Sequence, residues 1–163
     1  MNYFELFGLP QAPSVDRSLL AGKYFELQKE HHPDFFTQAM DTEKEDALEQ
    51  SAHINKAFNI FQNKEKTIEY FLQTISIIEA DEKYNLPPDF LMEMMEINEA
   101  LTEESEDIVT KRVESYESEL WEDIKPIIEN YQADTTKGSS LLKLKEYYYK
   151  KKYLKRILDR LGD

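Results

Sequence analysis

The feature that most constrains this chain is a four-residue break, His31-His32-Pro33-Asp34, between two segments with helical patterns. The segment before it, residues 16–30, carries an apolar stripe at helical spacing that is formed by Leu20, Tyr24 and Leu27. Pro33 has no amide hydrogen, and it also restricts the preceding residue to extended conformations. The first helix is therefore predicted to end at the two histidines.

A second helical pattern is predicted over residues 43–63, and its apolar face consists of Ala47, Ile54, Phe58 and Phe61. Residues 35–43 are predicted to form a loop in which Phe35 and Phe36 cover the apolar end of the hairpin. Because short connections join antiparallel helices, we expect the second helix to return along the first. An imidazole, a rigid turn and a carboxylate then lie at an exposed tip, where recognition residues are often found.

The tripeptide His32-Pro33-Asp34, placed between these helices, resembles the signature of the J-domain of DnaJ-type co-chaperones. A lone His-Pro-Asp is a weak signal, but three further segments occur in the order expected for one family. They are NYFELFGLP from Asn2, QSAHINKA from Gln50 and FLME from Phe90. These segments resemble those of the HscB family, J-type co-chaperones of iron-sulfur cluster assembly, and the resemblance covers essentially the whole chain.

The resemblance implies an all-α fold in which a J-domain, built on the hairpin with the His-Pro-Asp loop, precedes a three-helix bundle. The corresponding ranges are a J-domain over 1–76, a linker or joint over 77–88 and a client-binding domain over 89–163. The residue pattern agrees, because the chain has only four glycines and is rich in good helix formers. Apolar periodicity predicts helices over 64–78, 104–131 and 141–161, and a further helix after the Pro87-Pro88 pair.

The resemblance also implies that His32, Pro33 and Asp34 dock at the ATPase domain of a HscA/DnaK-type chaperone. In the J-domain family, a basic face on the second helix meets an acidic patch of that chaperone. The matching residues in this chain are Arg17, Lys23 and Lys29. Nearby carboxylates nearly balance these cations, so we expect weaker electrostatic steering than the family pattern implies. The alternative that these residues only form a solvated face remains open.

In the first helix of the second half, the predicted core stripe consists of Phe90, Met94, Ile97 and Leu101. The opposite side carries Met92, Met95, Glu96, Glu99 and Glu103, with Leu91 at the flank. Flexible apolar side chains ringed by carboxylates are typical of a protein-binding surface, although the methionines could instead pack against another helix. The resemblance implies that this set, with Tyr153 as an additional member, binds an IscU-type iron-sulfur scaffold protein. The family commonly has leucine at position 95 and phenylalanine at position 153.

Charge is distributed very unevenly in the second half. Residues 79–123 contain 16 acidic and 3 basic side chains, whereas residues 137–160 contain 9 basic and 2 acidic ones. Mutual neutralisation between packed helices is the favoured interpretation. The alternative is an anion-docking patch formed by Lys150, Lys151 and Lys152, beside three consecutive tyrosines. Pro126 lies within the predicted helix over 104–131, where it is expected to kink or split that helix.

Composition excludes several other functions. The sequence contains no cysteine, so neither disulfides nor cysteine ligation of a metal or a cluster is expected. The net charge of −13 argues against nucleic acid as a partner. The sequence has neither a signal-peptide pattern nor an apolar run near the ~20 residues of a membrane span. A cytoplasmic location without membrane association is therefore expected.

Catalysis by the chain itself is not expected. His31, His32 and His53 lack the spacing that brings metal ligands onto one helix face, and no phosphate-binding loop or nucleophile motif is present. The sequence therefore predicts neither a metal nor a cofactor. The family resemblance implies a co-chaperone that stimulates the ATPase of a partner. Two alternatives remain, a J-domain adaptor for a different client and a helical interaction module whose His-Pro-Asp is fortuitous.

Overall fold

The computed structural model describes residues 1–36, 38 and 40–161. The chain divides into two compact units, Met1–Ile75 and Ser76–Asp163. Every regular element in the described residues is a helix, so the predicted all-α class is confirmed. We refer to the two units as the hairpin unit and the bundle unit.

Within its described residues, the hairpin unit contains four α-helices and one 3₁₀ turn. They are α1 (Tyr3–Phe7), α2 (Arg17–His31), the turn Pro33–Phe36, α3 (Asp41–Gln62) and α4 (Lys64–Thr74). The predicted loop over 35–43 therefore contains the end of a 3₁₀ turn and the start of α3. Thr37 and Ala39 of that loop lie outside the described residues.

Side-chain caps explain where the first helices begin. The Asn2 side-chain oxygen accepts a hydrogen bond from the Glu5 amide at 2.9 Å, and the Asp16 carboxylate accepts one from the Ser18 amide at 2.9 Å. The Ser18 hydroxyl also donates to Asp16, and these bonds lower the pKa of that carboxyl. Asn2 and Asp16 are therefore the N-caps of α1 and α2.

An aromatic cluster forms the core of the hairpin unit. The rings of Phe4 and Phe7 lie 5.1 Å and 5.6 Å from the ring of Phe61, and all three side chains are buried. Tyr70 stacks on Tyr3 at 4.9 Å, and its hydroxyl accepts the Tyr3 amide at 2.9 Å. Such pairs stabilise a fold beyond the area that they bury.

The fourth helix ends earlier than its sequence pattern predicts. The apolar periodicity indicated a helix to Ile78, but α4 stops at Thr74. Ser76 has a φ of 60°, in the left-handed region, and this conformation cannot continue a right-handed helix. The expected extension over 75–78 is therefore wrong, although Ile78 is still buried.

The bundle unit contains α5 (Pro88–Glu103), α6 (Glu106–Glu129) and α7 (Gly138–Leu161). The three predicted longer helices are confirmed, and Pro88 occupies the first turn of α5, where its missing amide hydrogen costs nothing. α7 begins three residues before the predicted start, because Gly138 is part of the helix rather than of the preceding turn.

Pro126 does not split α6, contrary to one of the two expected outcomes. The helix continues through Pro126 and ends three residues later at Glu129. Only the carbonyl of Glu122 loses its helical donor, and Glu122 is exposed, so water can satisfy that oxygen. The amide and the side chain of Asn130 both donate to the Pro126 carbonyl, at 3.0 Å and 2.9 Å.

Apolar stripes of all three helices build the core of the bundle unit. Its most deeply buried side chains are Phe90, Met94, Val109, Val113, Leu144, Leu154 and Ile157. Tyr147 is also buried, whereas Leu158 and Leu101, a member of the predicted core stripe of α5, are only half-buried. The side chain of Leu161 lies outside the described residues.

Ion pairs join the acidic and basic parts of the bundle unit. Lys145 lies 2.6 Å from Glu82 in the segment before α5, and Lys151 of α7 lies 2.5 Å from Glu117 of α6. Lys150 pairs with Glu146 of its own helix at 3.6 Å. Neutralisation between the basic helix and the acidic part of the unit is thus confirmed for Lys145 and Lys151, and Lys152 is the exposed member of the suspected anion-docking patch.

The segment before α5 also packs on α7 through the aromatic ring of Tyr84. Tyr84 stacks on Tyr149 with ring centres 4.4 Å apart and planes at 6°, and the Tyr149 hydroxyl donates to Glu82 at 3.2 Å. Burial and the neighbouring carboxylate raise the pKa of Tyr149 to about 12. The hydrogen bond with Lys145 lowers the pKa of Glu82.

Candidate functional site

The tip of the hairpin forms because α2 cannot continue through Pro33. The amide of His32 still donates to the Gln28 carbonyl at 2.7 Å, but its ψ of 132° turns the chain out of the helix. The Phe35 amide then donates to the His32 carbonyl at 3.0 Å, which closes the 3₁₀ turn. His32, Pro33 and Asp34 therefore form one compact turn at the exposed end of the hairpin.

Two contacts fix the His32 ring relative to Asp34. The Asp34 amide donates to Nδ1 of His32 at 3.2 Å, and a carboxylate oxygen of Asp34 lies 3.4 Å from the same nitrogen. In the neutral ring, Nδ1 accepts the amide hydrogen and Nε2 carries the ring proton, so the carboxylate contact is a close approach and not a hydrogen bond. The turn thus offers one imidazole donor and one carboxylate that is 85% exposed. Both groups are accessible for hydrogen bonding with a partner.

A polar network holds the two long helices together behind this tip. The side-chain oxygen of Asn55 accepts from the Tyr24 hydroxyl at 2.7 Å and from the Gln28 amide at 3.0 Å. The Ser51 hydroxyl donates to the Gln28 side-chain oxygen at 3.0 Å. Tyr24 also stacks on Phe58 at 4.1 Å. This network positions the last turn of α2, from which the tip extends.

Sequence reasoning did not identify this network. One part of the network was visible in the sequence. Ser51 and Asn55 are four residues apart within QSAHINKA and thus share a helix face. Their pairing with Tyr24 and Gln28 depends on how two helices align, and a single sequence does not specify that alignment.

An apolar groove of about 370 Å³ lies beside the tip. It is lined by Phe25, Gln28, Lys29, His32, Asp34 and Phe35. The expectation that Phe35 covers the end of the hairpin is wrong, because its side chain is 67% exposed and its ring lies 6.3 Å from the ring of His32. The 3₁₀ turn keeps Phe35 on the groove side, while Phe36 is half-buried.

The helix does not gather the three expected cations onto one face. Arg17, Lys23 and Lys29 follow one another at six-residue intervals, and each step rotates the side chain by about 240°, so they point about 120° apart. Lys23 donates to the carbonyl of Gly8, the left-handed residue that ends α1, at 3.3 Å. Arg17 lies at the opposite end of α2 from the tip. Only Lys29 accompanies His32 and Asp34 in the groove.

A second exposed surface lies on α5, in the bundle unit. Met92 and Met95 are 65% and 61% exposed, and Leu91 is 37% exposed. The predicted carboxylates Glu96, Glu99 and Glu103 are exposed on the same side of the helix. The alternative in which the two methionines pack against another helix is therefore wrong. We call this set of six residues the methionine face.

Tyr153 is the remaining predicted member of this surface. Its described contacts do not place it on the methionine face. It is half-buried, and its ring meets Phe90 edge-on at 5.9 Å, on the core side of α5. It also lines a pocket of about 160 Å³ with residues of the segment before α5 and of α7. Neighbouring Tyr116 packs on Phe90 at 5.9 Å, and burial together with the charge of Glu93 raises its pKa to about 12.

Neither surface resembles a metal centre. Among the described residues, no three histidine, aspartate or glutamate side chains are grouped so that they could hold a metal ion. Within the same residues, no helix combines the length and the apolar character needed to cross a membrane.

A helical hairpin with His-Pro-Asp at its tip, followed by a separate helical bundle, is the architecture of a J-type co-chaperone. Residues 86–162 match the family model of the HSCB C-terminal oligomerisation domain. The crystal structure of human co-chaperone protein HscB aligns with 99% of this chain and 81% of its own, at a TM-score of 0.81 and 27% identity. Chaperone HscB from Vibrio cholerae aligns over 99% of both chains, at a TM-score of 0.64 and 31% identity.

Sequence relatives agree with the structures. The co-chaperone protein HscB homolog of Vibrio vulnificus strain YJ016 is 41% identical over 104 residues, which is 63% of this chain and 61% of that protein. The homolog of Vibrio cholerae strain M66-2 is 41% identical over 102 residues, or 62% and 60% of the two chains. These matches thus span less than two thirds of either relative. The chain belongs to the HscB family. Its relatives are named as co-chaperones, which are not themselves enzymes, in agreement with the prediction for this chain.

Proposed function

We propose that this protein is a cytoplasmic co-chaperone that delivers an IscU-type iron-sulfur scaffold protein to a HscA/DnaK-type chaperone and stimulates the ATPase of that chaperone. The observation that carries the proposal is the His-Pro-Asp turn, held by the contact between the His32 ring and the Asp34 amide, in a chain of the HscB family. Residues 1–76 act as the J-domain, 77–88 as the linker and 89–163 as the client-binding domain.

The chaperone-binding surface in this proposal consists of His32, Pro33 and Asp34 together with Lys29. The imidazole and the carboxylate contact the ATPase, and Lys29 adds one cation beside them. Arg17 and Lys23 contribute less, because the first is distant along α2 and the second is engaged by the Gly8 carbonyl. Binding here favours the arrangement of the chaperone that is competent for hydrolysis.

The client-binding surface in this proposal is the methionine face of α5. Met92 and Met95 adapt their shape to the scaffold, since methionine is unbranched and polarisable. Glu96, Glu99 and Glu103 border the apolar contact and favour a basic patch on the scaffold. Tyr153 acts on this surface indirectly, because its ring supports Phe90 at the core side of the same helix.

Two binding sites on one chain explain how ATP turnover is tied to the client. An adaptor that holds scaffold and chaperone together raises their effective concentration for one another. The J-type turn then adds stimulation of hydrolysis at the moment of encounter. Such a protein needs no cofactor of its own, since the cluster chemistry belongs to the scaffold.

Calorimetric titration of an IscU-type scaffold into the full chain tests the client half of this proposal. We expect saturable one-to-one binding that persists in His32→Gln. If the scaffold does not bind while the chain still stimulates the chaperone, the protein is a J-domain adaptor for another client. If neither activity is found, the proposed function is wrong.

A further inference from the structure

Two phenylalanines border the groove beside His32. Phe25 is 71% exposed and Phe35 is 67% exposed, although most phenylalanines are at least partly withdrawn from water. Single exposed apolar residues are common on protein surfaces, but these two line one cavity of about 370 Å³. The two rings and the cavity between them therefore form one continuous apolar patch.

Phe25 does not belong to the stripe that packs α2 on α3. It follows Leu20 by five residues, so its side chain points about 140° away from the buried stripe. Phe35 is likewise directed away from the core by the 3₁₀ turn, with its ring beside that of His32.

The charge around the groove is low. Of the described residues that line the groove, Lys29 carries the one ammonium group and Asp34 the one carboxylate. Arg17 and Lys23 point elsewhere, as described above. A partner that reaches His32 therefore meets an apolar surface with one cation and one anion at its edge, rather than a basic face.

We infer that Phe25 and Phe35 form a clasp for an apolar side chain of the ATPase chaperone, and that this contact sets the affinity of the hairpin tip. This inference rests on the proposed function. The occupant must belong to the chaperone that contacts His32 and Asp34, because both residues line the same groove. Its apolar side chain should be accompanied by an acidic residue that pairs with Lys29.

The clasp predicts an unusual dependence on salt. Attraction between exposed charges weakens as ionic strength rises, whereas burial of apolar surface does not. The concentration of this chain that gives half-maximal ATPase stimulation should thus change by less than about threefold between low and high sodium chloride. A much steeper rise would overturn the inference, because it would indicate that charge supplies the affinity.

Substitution provides the direct test. Phe25→Ser with Phe35→Ser in the full chain should raise the half-maximal concentration about tenfold or more, while the maximal stimulation stays near that of the wild type. The matched control is Leu48→Ser on α3, which removes an apolar side chain that is 63% exposed but does not line the groove. This control should leave the half-maximal concentration unchanged.

The outcomes separate the inference from the proposed function. If the wild type stimulates and the double variant has the same half-maximal concentration, the clasp is wrong while the function stands. If the wild type does not stimulate, both are overturned. Sedimentation of the wild type and of the double variant tests whether a second copy of this chain occupies the groove. Loss of self-association without a change in stimulation would contradict the chaperone clasp.

Discussion

The hairpin tip and the methionine face differ in how their side chains are held. At the tip, His32 is tied to the Asp34 amide, and the helix behind it is fixed by hydrogen bonds from Tyr24 and Gln28 to Asn55. On α5, Met92 and Met95 extend into solvent with more than half of their surface exposed. The tip presents a preformed geometry, whereas the methionine face presents adaptable apolar area.

Under the proposed function, this difference corresponds to two kinds of recognition within one small protein. A preformed polar turn loses its function when one group is removed, because its donor and acceptor act together. An adaptable apolar face loses affinity gradually, because each side chain contributes part of the buried area. Substitutions on each surface distinguish these two behaviours.

The largest effect is expected for His32→Gln. Glutamine cannot reproduce the imidazole that accepts the Asp34 amide, so the turn loses the geometry that is proposed to contact the chaperone. Stimulation of the chaperone ATPase should disappear, while circular dichroism and scaffold binding remain unchanged. A variant that unfolds or loses the scaffold would contradict the independence of the two surfaces.

Met92→Ala with Met95→Ala should weaken scaffold binding by about tenfold or more, since two exposed anchors are truncated together. Stimulation of the chaperone by this variant in the absence of scaffold should match that of the wild type. The control is Leu142→Ala, which removes an exposed apolar side chain near the start of α7. Equal affinities of all three proteins would show that the methionine face does not bind the client.

The network behind the tip should contribute measurably to stability. Asn55→Ala removes the acceptor of two hydrogen bonds, and Asn59→Ala changes the same residue type one helical turn later, at an exposed position. Both variants gain the same helix propensity. The free energy of unfolding in urea should therefore be about 1 kcal/mol lower for Asn55→Ala than for Asn59→Ala. Equal values would exclude a stabilising role for the network.

The smallest effect is expected at alkaline pH, in the bundle unit. Tyr116 and Tyr149 have pKa values raised to about 12, against an ordinary value of 10.0, so the folded state holds these protons more tightly than the unfolded state. Their contribution to stability is complete below pH 10 and is lost as the pH rises toward 12. Tyr116→Phe should make the unfolding midpoint less sensitive to pH in this range. An unchanged slope would contradict the burial of that hydroxyl.

Local chemistry made much of the fold predictable from sequence. Asn2 and Asp16 cap their helices, and Pro33 and Pro88 mark an end and a start, because each acts on the backbone within a few residues. The methionine face was also predictable, since helical spacing alone separates it from the buried stripe at Phe90.

Other features depend on contacts that the sequence pattern does not contain. The left-handed Ser76 ended α4 before its apolar pattern did, and Phe35 was expected to be covered although the turn exposes it. The cations at positions 17, 23 and 29 were taken together because the family resemblance groups them, whereas helix geometry separates them. The Asn55 network was missed because it depends on the alignment of α2 and α3.

The most direct test of the account is the steady-state ATPase rate of the chaperone with this chain, with the scaffold, and with both together. We predict stimulation by the chain alone and a larger, more than additive rate with the scaffold present. Both effects should disappear in His32→Gln. A rate that stays at the chaperone's basal value under all three conditions would contradict the central claim that this chain couples a client to ATP turnover.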